Sequence, residues 1–339
     1  PMKAAVYQGA QRFEVKDIPM PEPGPGQVLV KVNRSAICGT DVHAFMYDIA
    51  LAGSVIGHEI AGEIASVGPG VDRWSVGQRV VAGGGDMPEG MQSPTRADPR
   101  YNYRTMGFGD SVNGGYAEYQ LLPEWRPTLI PDNVPDEVAT LTEPCSVAVN
   151  AVRRSAIKLG DTVAILGAGP IGMFCIQAAL NAGATRVLVS EPASARAAAA
   201  LQLGADVVIN PLEEDVVARL VELTGGLGPD VTFDCAGLGP TLDQAFDATR
   251  RAGQVILVAV PWEPLTIGPA DWMAREVDFR TSFASHPEDW RIALDLFATG
   301  RISTAPLLSE ASFINLDDIQ EAFEGLMKPS SQLQVVINL

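Results

Sequence analysis

The sequence predicts an α/β protein of two domains, an irregular β domain and a doubly wound parallel-sheet domain. Three observations carry this. The 339 residues exceed the size at which one hydrophobic core usually keeps growing. The N-terminal part alternates short β-rich segments with turn clusters. From Asp161 onward the pattern changes to apolar strand, glycine turn, alanine-rich helix and again apolar strand, the rhythm of parallel βαβ units.

In order, QVLVKV around Val28–Val32, IAGEIASV over Ile60–Val67 and GQRVV over Gly77–Val81 read as strands, separated by the turn clusters PMPEPGPG, GPGVD and GGG. TVAILGAG is then a strand and turn, PIGMFCIQAALNAG a helix ending at Gly183, TRVLVSE a second strand and ASARAAAALQLG a second helix. DVVIN, LEEDVVARLVELTGG, DVTFDCAG, TLDQAFDATRRAG and QVILVAV continue the alternation. Such near-continuous apolar strands imply a sheet covered on both faces. After His286, EDWRIALDLFATG and SFINLDDIQEAFEGLM read as helices, the second capped at Asn315 or Asp317, and QLQVVINL as a strand. This tail is too short for a domain of its own, so residues 1–148 and 286–339 are expected to form the β domain, with 149–285 inserted as the parallel-sheet domain.

Charge excludes some partners. With 41 acidic against 24 basic residues the net charge is −17, which opposes approach to nucleic acid or to an anionic membrane surface. Uninterrupted apolar runs fall short of a membrane span, and PMKAAVYQGAQRFEV lacks a signal-peptide core, so a cytoplasmic chain is expected. The four cysteines, Cys38, Cys145, Cys175 and Cys235, form no CxxC pair, so neither a disulfide framework nor a cysteine-rich zinc knuckle is indicated.

GAGPIG, with Gly167, Gly169, Pro170, Ile171 and Gly172, lies between an apolar strand and a helix. The glycines suit a tight turn, close approach of backbone to a pyrophosphate, and helix-to-strand packing, while the helix N-terminus offers N–H groups to the anion. Glu191 ends the next strand, 19 residues after Gly172, about the spacing at which a carboxylate bonds the adenosine ribose. A carboxylate there repels a 2′-phosphate, so NAD is expected over NADP. Arg196 is the nearby cation, either an adenine-side contact or a solvated helix residue.

Two of the three histidines fall in polar clusters, Cys38-Gly39-Thr40-Asp41-Val42-His43 and Gly57-His58-Glu59. A thiolate, imidazole and carboxylates suit Zn²⁺, and a catalytic ion leaves one position open. Singly such residues are more often core filler. Together, CGTDVH, GHEIAGEIASVG, NGGYAEY, TEPCSVAVNAV and GAGPIG stand in the order found in zinc-dependent medium-chain alcohol dehydrogenases, which the chain resembles over essentially its whole length, most closely in the polyol (sorbitol), butanediol and threonine dehydrogenase branch.

That resemblance implies a GroES-like β domain with a Rossmann domain, and an NAD-dependent enzyme oxidising a secondary alcohol, polyol or hydroxy compound to a ketone, reversibly. It assigns Cys38 and His58 to one catalytic zinc, with Glu59 and Glu143 supplying the carboxylate; Cys145 is the rival to Glu143. Thr40 would accept the substrate proton and His43 pass it by way of the nicotinamide ribose to solvent. Asp41 either orients a ligand or satisfies loop N–H groups. Ala236, Val258, Val260 and Phe283 would approach the ribose and nicotinamide, and His286 is structural. Family members often carry a second, structural zinc on four cysteines; the stretch GGGDMPEGMQSPTRADPRYNYRTMGFGDSVNGG holds none, so no structural zinc is expected. It holds Arg96, Arg100, Arg104, Tyr101 and Tyr103 instead, read as a subunit contact or solvated lobe, or as the source of one arginine pairing with an anionic substrate group. A homodimer or homotetramer is expected, with QVILVAV pairing edge to edge across a two-fold axis. The rivals are a zinc-free quinone or enoyl reductase on the same fold and a non-catalytic NAD-binding protein.

Overall fold

The computed structural model describes residues 1–86, 88, 114–328 and 332–339. Arg96, Arg100, Arg104, Tyr101 and Tyr103 lie outside the described residues. Two compact units emerge, residues 1–143 with 310–339, and residues 144–309.

The first unit is built on a seven-stranded sheet. Gln27–Ala36 is its centre, paired antiparallel with Glu59–Val67, Tyr119–Pro123 and Val336–Asn338, the last of which pairs in parallel with Phe313–Asn315. The segment expected as one helix after Ser312 is thus divided. Phe313–Asn315 joins the sheet, Leu316–Asp318 is a 3₁₀ turn, and only Ile319–Leu326 is α-helical. Sheet pairing of the apolar start outweighs its helical pattern. A separate hairpin, Met2–Tyr7 with Phe13–Ile18, covers an aromatic cluster of Tyr7, Phe13, Phe45, Tyr116 and Phe323.

The second unit holds a six-stranded parallel sheet in the order Val207–Ile209, Arg186–Ser190, Thr162–Leu166, Val231–Asp234, Gln254–Leu257, Asp278–Thr281. The sequence therefore starts at the middle and runs outward first one way, then the other, which opens a crevice beyond the carboxyl ends of Thr162–Leu166 and Val231–Asp234. Strand residues are buried because helices supply Val216, Leu220, Leu242, Ala245 and Phe246 to the core.

Two expectations are corrected here. Gln254–Leu257 is an inner strand, paired on both sides, so it offers no edge; Asp278–Thr281 is the outer strand at that end of the sheet. Its alternating charges hid it in the sequence. The return to the first unit comes at residue 310 rather than 286. Helix Pro287–Ala298 stays with the parallel sheet because Arg153 reaches Asp289 at 2.7 Å, Phe297 packs edge-on against Phe174, and Ser303 N donates to Gln177 Oε1 at 2.7 Å. Among the described residues no helix is long and apolar enough to cross a membrane.

Candidate metal centre and dinucleotide turn

The antiparallel register pairs Ala36 with Glu59, and this pairing brings together a cluster of side chains that could hold a metal ion. Cys38 lies two residues beyond the end of one strand, where it caps helix Gly39–Met46; His58 and Glu59 stand at the start of the other. Thr140 Oγ1 donates to the Glu59 carbonyl at 2.7 Å, tying the turn before helix Thr142–Arg154 to the same strand end, and Glu143 follows in the first turn of that helix. Ligand atoms of Cys38, His58, Glu59 and Glu143 all lie within 4.8 Å of one another. Cys145 is not in this group; it is fully buried two residues further on.

The cluster suits a divalent cation. Burial, then the charge of Glu143, pushes the Glu59 carboxyl up to about 8. Burial, then the charge of Glu59, pushes the Cys38 thiol up to about 12. Burial likewise raises Glu143. His58 is drawn down by burial, but the charges of Asp41 and Cys38 outweigh this and raise it well above its ordinary range. Glu59 Oε2 is buried with no hydrogen-bond partner among the described residues. Three acids crowded out of water, one with an unpartnered oxygen, and an imidazole are a donor set of S, N and O that Zn²⁺ would neutralise.

Asp41 supports the ring. It is buried, accepts from Tyr116 Oη at 2.6 Å through Oδ2, and lies 3.4 Å from His58 Nδ1 through Oδ1. Tyr116, which sequence reasoning passed over, is held tightly: a Cβ at Gly57, whose φ is +103°, would sit 2.7 Å from its ring. Glycine before His58 is therefore required both by backbone conformation and by this contact. Thr40 Oγ1 donates to Cys38 Sγ at 2.9 Å, which puts the hydroxyl beside the cluster. His43 Nδ1 donates to the Gly39 carbonyl at 2.6 Å, so the basic lone pair is on Nε2.

In the second unit, the three glycines of GAGPIG have separable roles. Gly167 adopts φ +96°; a Cβ at Gly172 would lie 2.0 Å from the Gly167 carbonyl oxygen; a Cβ at Gly169 would meet nothing within 4 Å. The first makes the turn, the last lets helix Pro170–Asn181 sit on its strand, and the middle one leaves space at the helix N-terminus with Pro170 and Ile171 in its first turn. Glu191 is buried, its Oε2 accepting from Ala168 N at 2.8 Å and its Oε1 from Ala193 N at 2.9 Å. Arg196 is on helix Ser194–Gln202, its Nε buried without a partner among the described residues. Ala236 packs against Gly167, and Val260 against Gly237; Val258 N donates to the Asp234 carbonyl at 2.9 Å. Phe283 follows the outermost strand and is 57% exposed, beside Ala284, which holds φ +52° while Asn150 Nδ2 donates to its carbonyl at 2.9 Å.

Residues 24–132 match the alcohol dehydrogenase GroES-like domain, and residues 170–299 the zinc-binding dehydrogenase family. L-threonine 3-dehydrogenase of Pyrococcus horikoshii is 34% identical over 345 residues, covering 100% of this chain and 97% of its own. The chain belongs to the zinc-dependent medium-chain alcohol and polyol dehydrogenases. Within this family it is an oxidoreductase that uses zinc and a nicotinamide dinucleotide. The structure of 2R,3R-butanediol dehydrogenase from Bacillus subtilis superimposes with a TM-score of 0.88 at 32% identity, covering 100% of both chains. A zinc-binding dehydrogenase from Sinorhizobium meliloti, bound to NADP, gives 0.87 at 32% identity, covering 100% of this chain and 99% of its own.

Proposed function

We propose that this dehydrogenase uses NAD and a single catalytic zinc to oxidise a small secondary alcohol, polyol or related hydroxy compound to a ketone, reversibly. One observation carries the reading: a thiol, an imidazole and two carboxyls from three separate segments converge within 4.8 Å, with the Thr40 hydroxyl beside them. Cys38, His58 and the carboxyl of Glu59 or Glu143 would hold the ion. When bound, zinc would supply polarisation of the substrate oxygen, and the nicotinamide would supply an acceptor for the carbon-bound hydrogen as hydride. The hydroxyl proton is handled by the chain itself. Thr40 Oγ1 would accept it while giving up its own hydroxyl proton, which His43 Nε2 would pass on towards solvent.

Glu191 supports NAD, because its buried carboxylate would meet a 2′-phosphate with like charge. A second reading, NADP, draws on the unpartnered Nε of Arg196 and on the Sinorhizobium relative. The shortage of cysteines supports one zinc rather than two. For assembly we favour a homodimer or homotetramer, with Asp278–Thr281 as an open sheet edge. Metal analysis combined with reduction of NAD or NADP by a panel of secondary alcohols and polyols tests the reading. One zinc per chain and NADH formation are expected. A zinc-free preparation that cannot be reconstituted overturns it.

A further inference from the structure

Two acids stand at the carboxyl ends of the strands that flank Thr162–Leu166. Glu191, on one side, spends both oxygens on backbone N–H groups of its neighbouring turns. Asp234, on the other, is fully buried, and its bonds are concentrated on one oxygen. Oδ1 accepts from Ala236 N and Gly237 N, both at 3.0 Å, and from Thr241 Oγ1 at 3.1 Å. Its backbone carbonyl accepts from Val258 N at 2.9 Å and Ala259 N at 3.1 Å. A single residue therefore ties the loop after its own strand to the loop after the next one.

Those loops are close-packed around the crevice. A Cβ at Gly167 would lie 3.2 Å from Ala236 N, and one at Gly237, which holds φ +70°, would lie 3.0 Å from Ala259 Cβ. Asp234 Oδ2 is buried with no hydrogen-bond partner among the described residues. An unsatisfied buried carboxylate oxygen is a cost that a purely packing position has no reason to carry, and such costs gather at functional sites.

We propose that Asp234 is a positioning residue for the dinucleotide: through Oδ1 and its carbonyl it fixes Ala236, Gly237, Val258 and Ala259 against Gly167, so that the crevice beyond the glycine turn keeps the shape the cofactor needs. The inference rests on the dinucleotide reading of that turn.

Fluorescence titration of the zinc-loaded enzyme with NADH, together with separate KM values for NAD and alcohol, tests it. Asp234→Ala is expected to weaken NADH binding and raise the KM for NAD about tenfold, leaving zinc content and the KM for alcohol unchanged. Asp234→Asn keeps the accepting oxygen and is expected to restore binding to within about threefold of the wild type. A folded Asp234→Ala that binds NADH like the wild type, or an Asn variant no better than Ala, overturns the proposal. Should Asp234→Ala fail to fold, Thr241→Val decides: about threefold weaker NADH binding supports the positioning role, and unchanged binding overturns it. Wild-type enzyme that binds neither NADH nor NADPH would instead overturn the dinucleotide reading itself.

Discussion

Asp41 Oδ1 lies 3.4 Å from His58 Nδ1, while the other oxygen of the same carboxylate is held by Tyr116 Oη at 2.6 Å. A carboxylate so placed orients the imidazole and raises its basicity as a ligand. Asp41→Ala is therefore expected to weaken zinc affinity by about 10- to 100-fold, read by competition with a chromogenic chelator. Tyr116→Phe removes only the outer bond, and its effect should be smaller. Equal zinc affinity in Asp41→Ala and the wild type would exclude this support.

Zinc must displace protons to bind. In the metal-free chain the Cys38 thiol stands at about 12 and the Glu59 carboxyl at about 8, both above neutrality, so both are protonated at pH 7. Each proton released makes apparent zinc affinity rise about tenfold per pH unit below the corresponding pKa. Calorimetric titration in buffers of different ionisation enthalpy should therefore register net proton release, and affinity should increase from pH 6 to pH 8. Affinity falling over that range contradicts the assignment.

The glycines of the turn predict opposite phenotypes. Gly172→Ala places a Cβ 2.0 Å from the Gly167 carbonyl oxygen, so thermal unfolding should register a loss of about 3 kcal/mol. Gly169→Ala meets nothing within 4 Å and should change stability by less than about 0.5 kcal/mol. Its cost should fall on NADH affinity, by about tenfold, as the added methyl occupies space at the helix N-terminus.

Thr40 is expected to matter for turnover rather than for metal retention. Thr40→Val should lower kcat by about 10²- to 10⁴-fold with zinc content and NADH affinity retained, and Thr40→Ser should recover most of the loss. A Thr40→Val enzyme with wild-type kcat removes the hydroxyl from the proton path.

Much of this was legible in the residues. Five of the six parallel strands could be followed as apolar runs, because a strand buried on both faces needs few polar residues. The sixth, Asp278–Thr281, is an edge strand whose exposed Asp278, Arg280 and Thr281 look like loop. Tyr116 was hidden for another reason: its bond to Asp41 spans 75 residues, and no local period records it. Asp234 looked like the end of a strand, since the bonds to its carbonyl from Val258 N and Ala259 N exist only once the next strand is paired beside it.

By itself, then, the order of residues determined the kinds of chemistry available: soft and hard donors near the N-terminus, and a glycine turn able to receive a phosphate. Tertiary structure decided which donors meet. The pairing of Ala36 with Glu59 and the bond from Thr140 to Glu59 bring Cys38, His58, Glu59 and Glu143 together and leave Cys145 outside. It likewise moved the return of the chain to residue 310, since helix Pro287–Ala298 buries Phe297 against Phe174. Turn and strand signals depend on neighbours a few positions apart, whereas convergence depends on sheet register and helix packing between residues far apart in the chain.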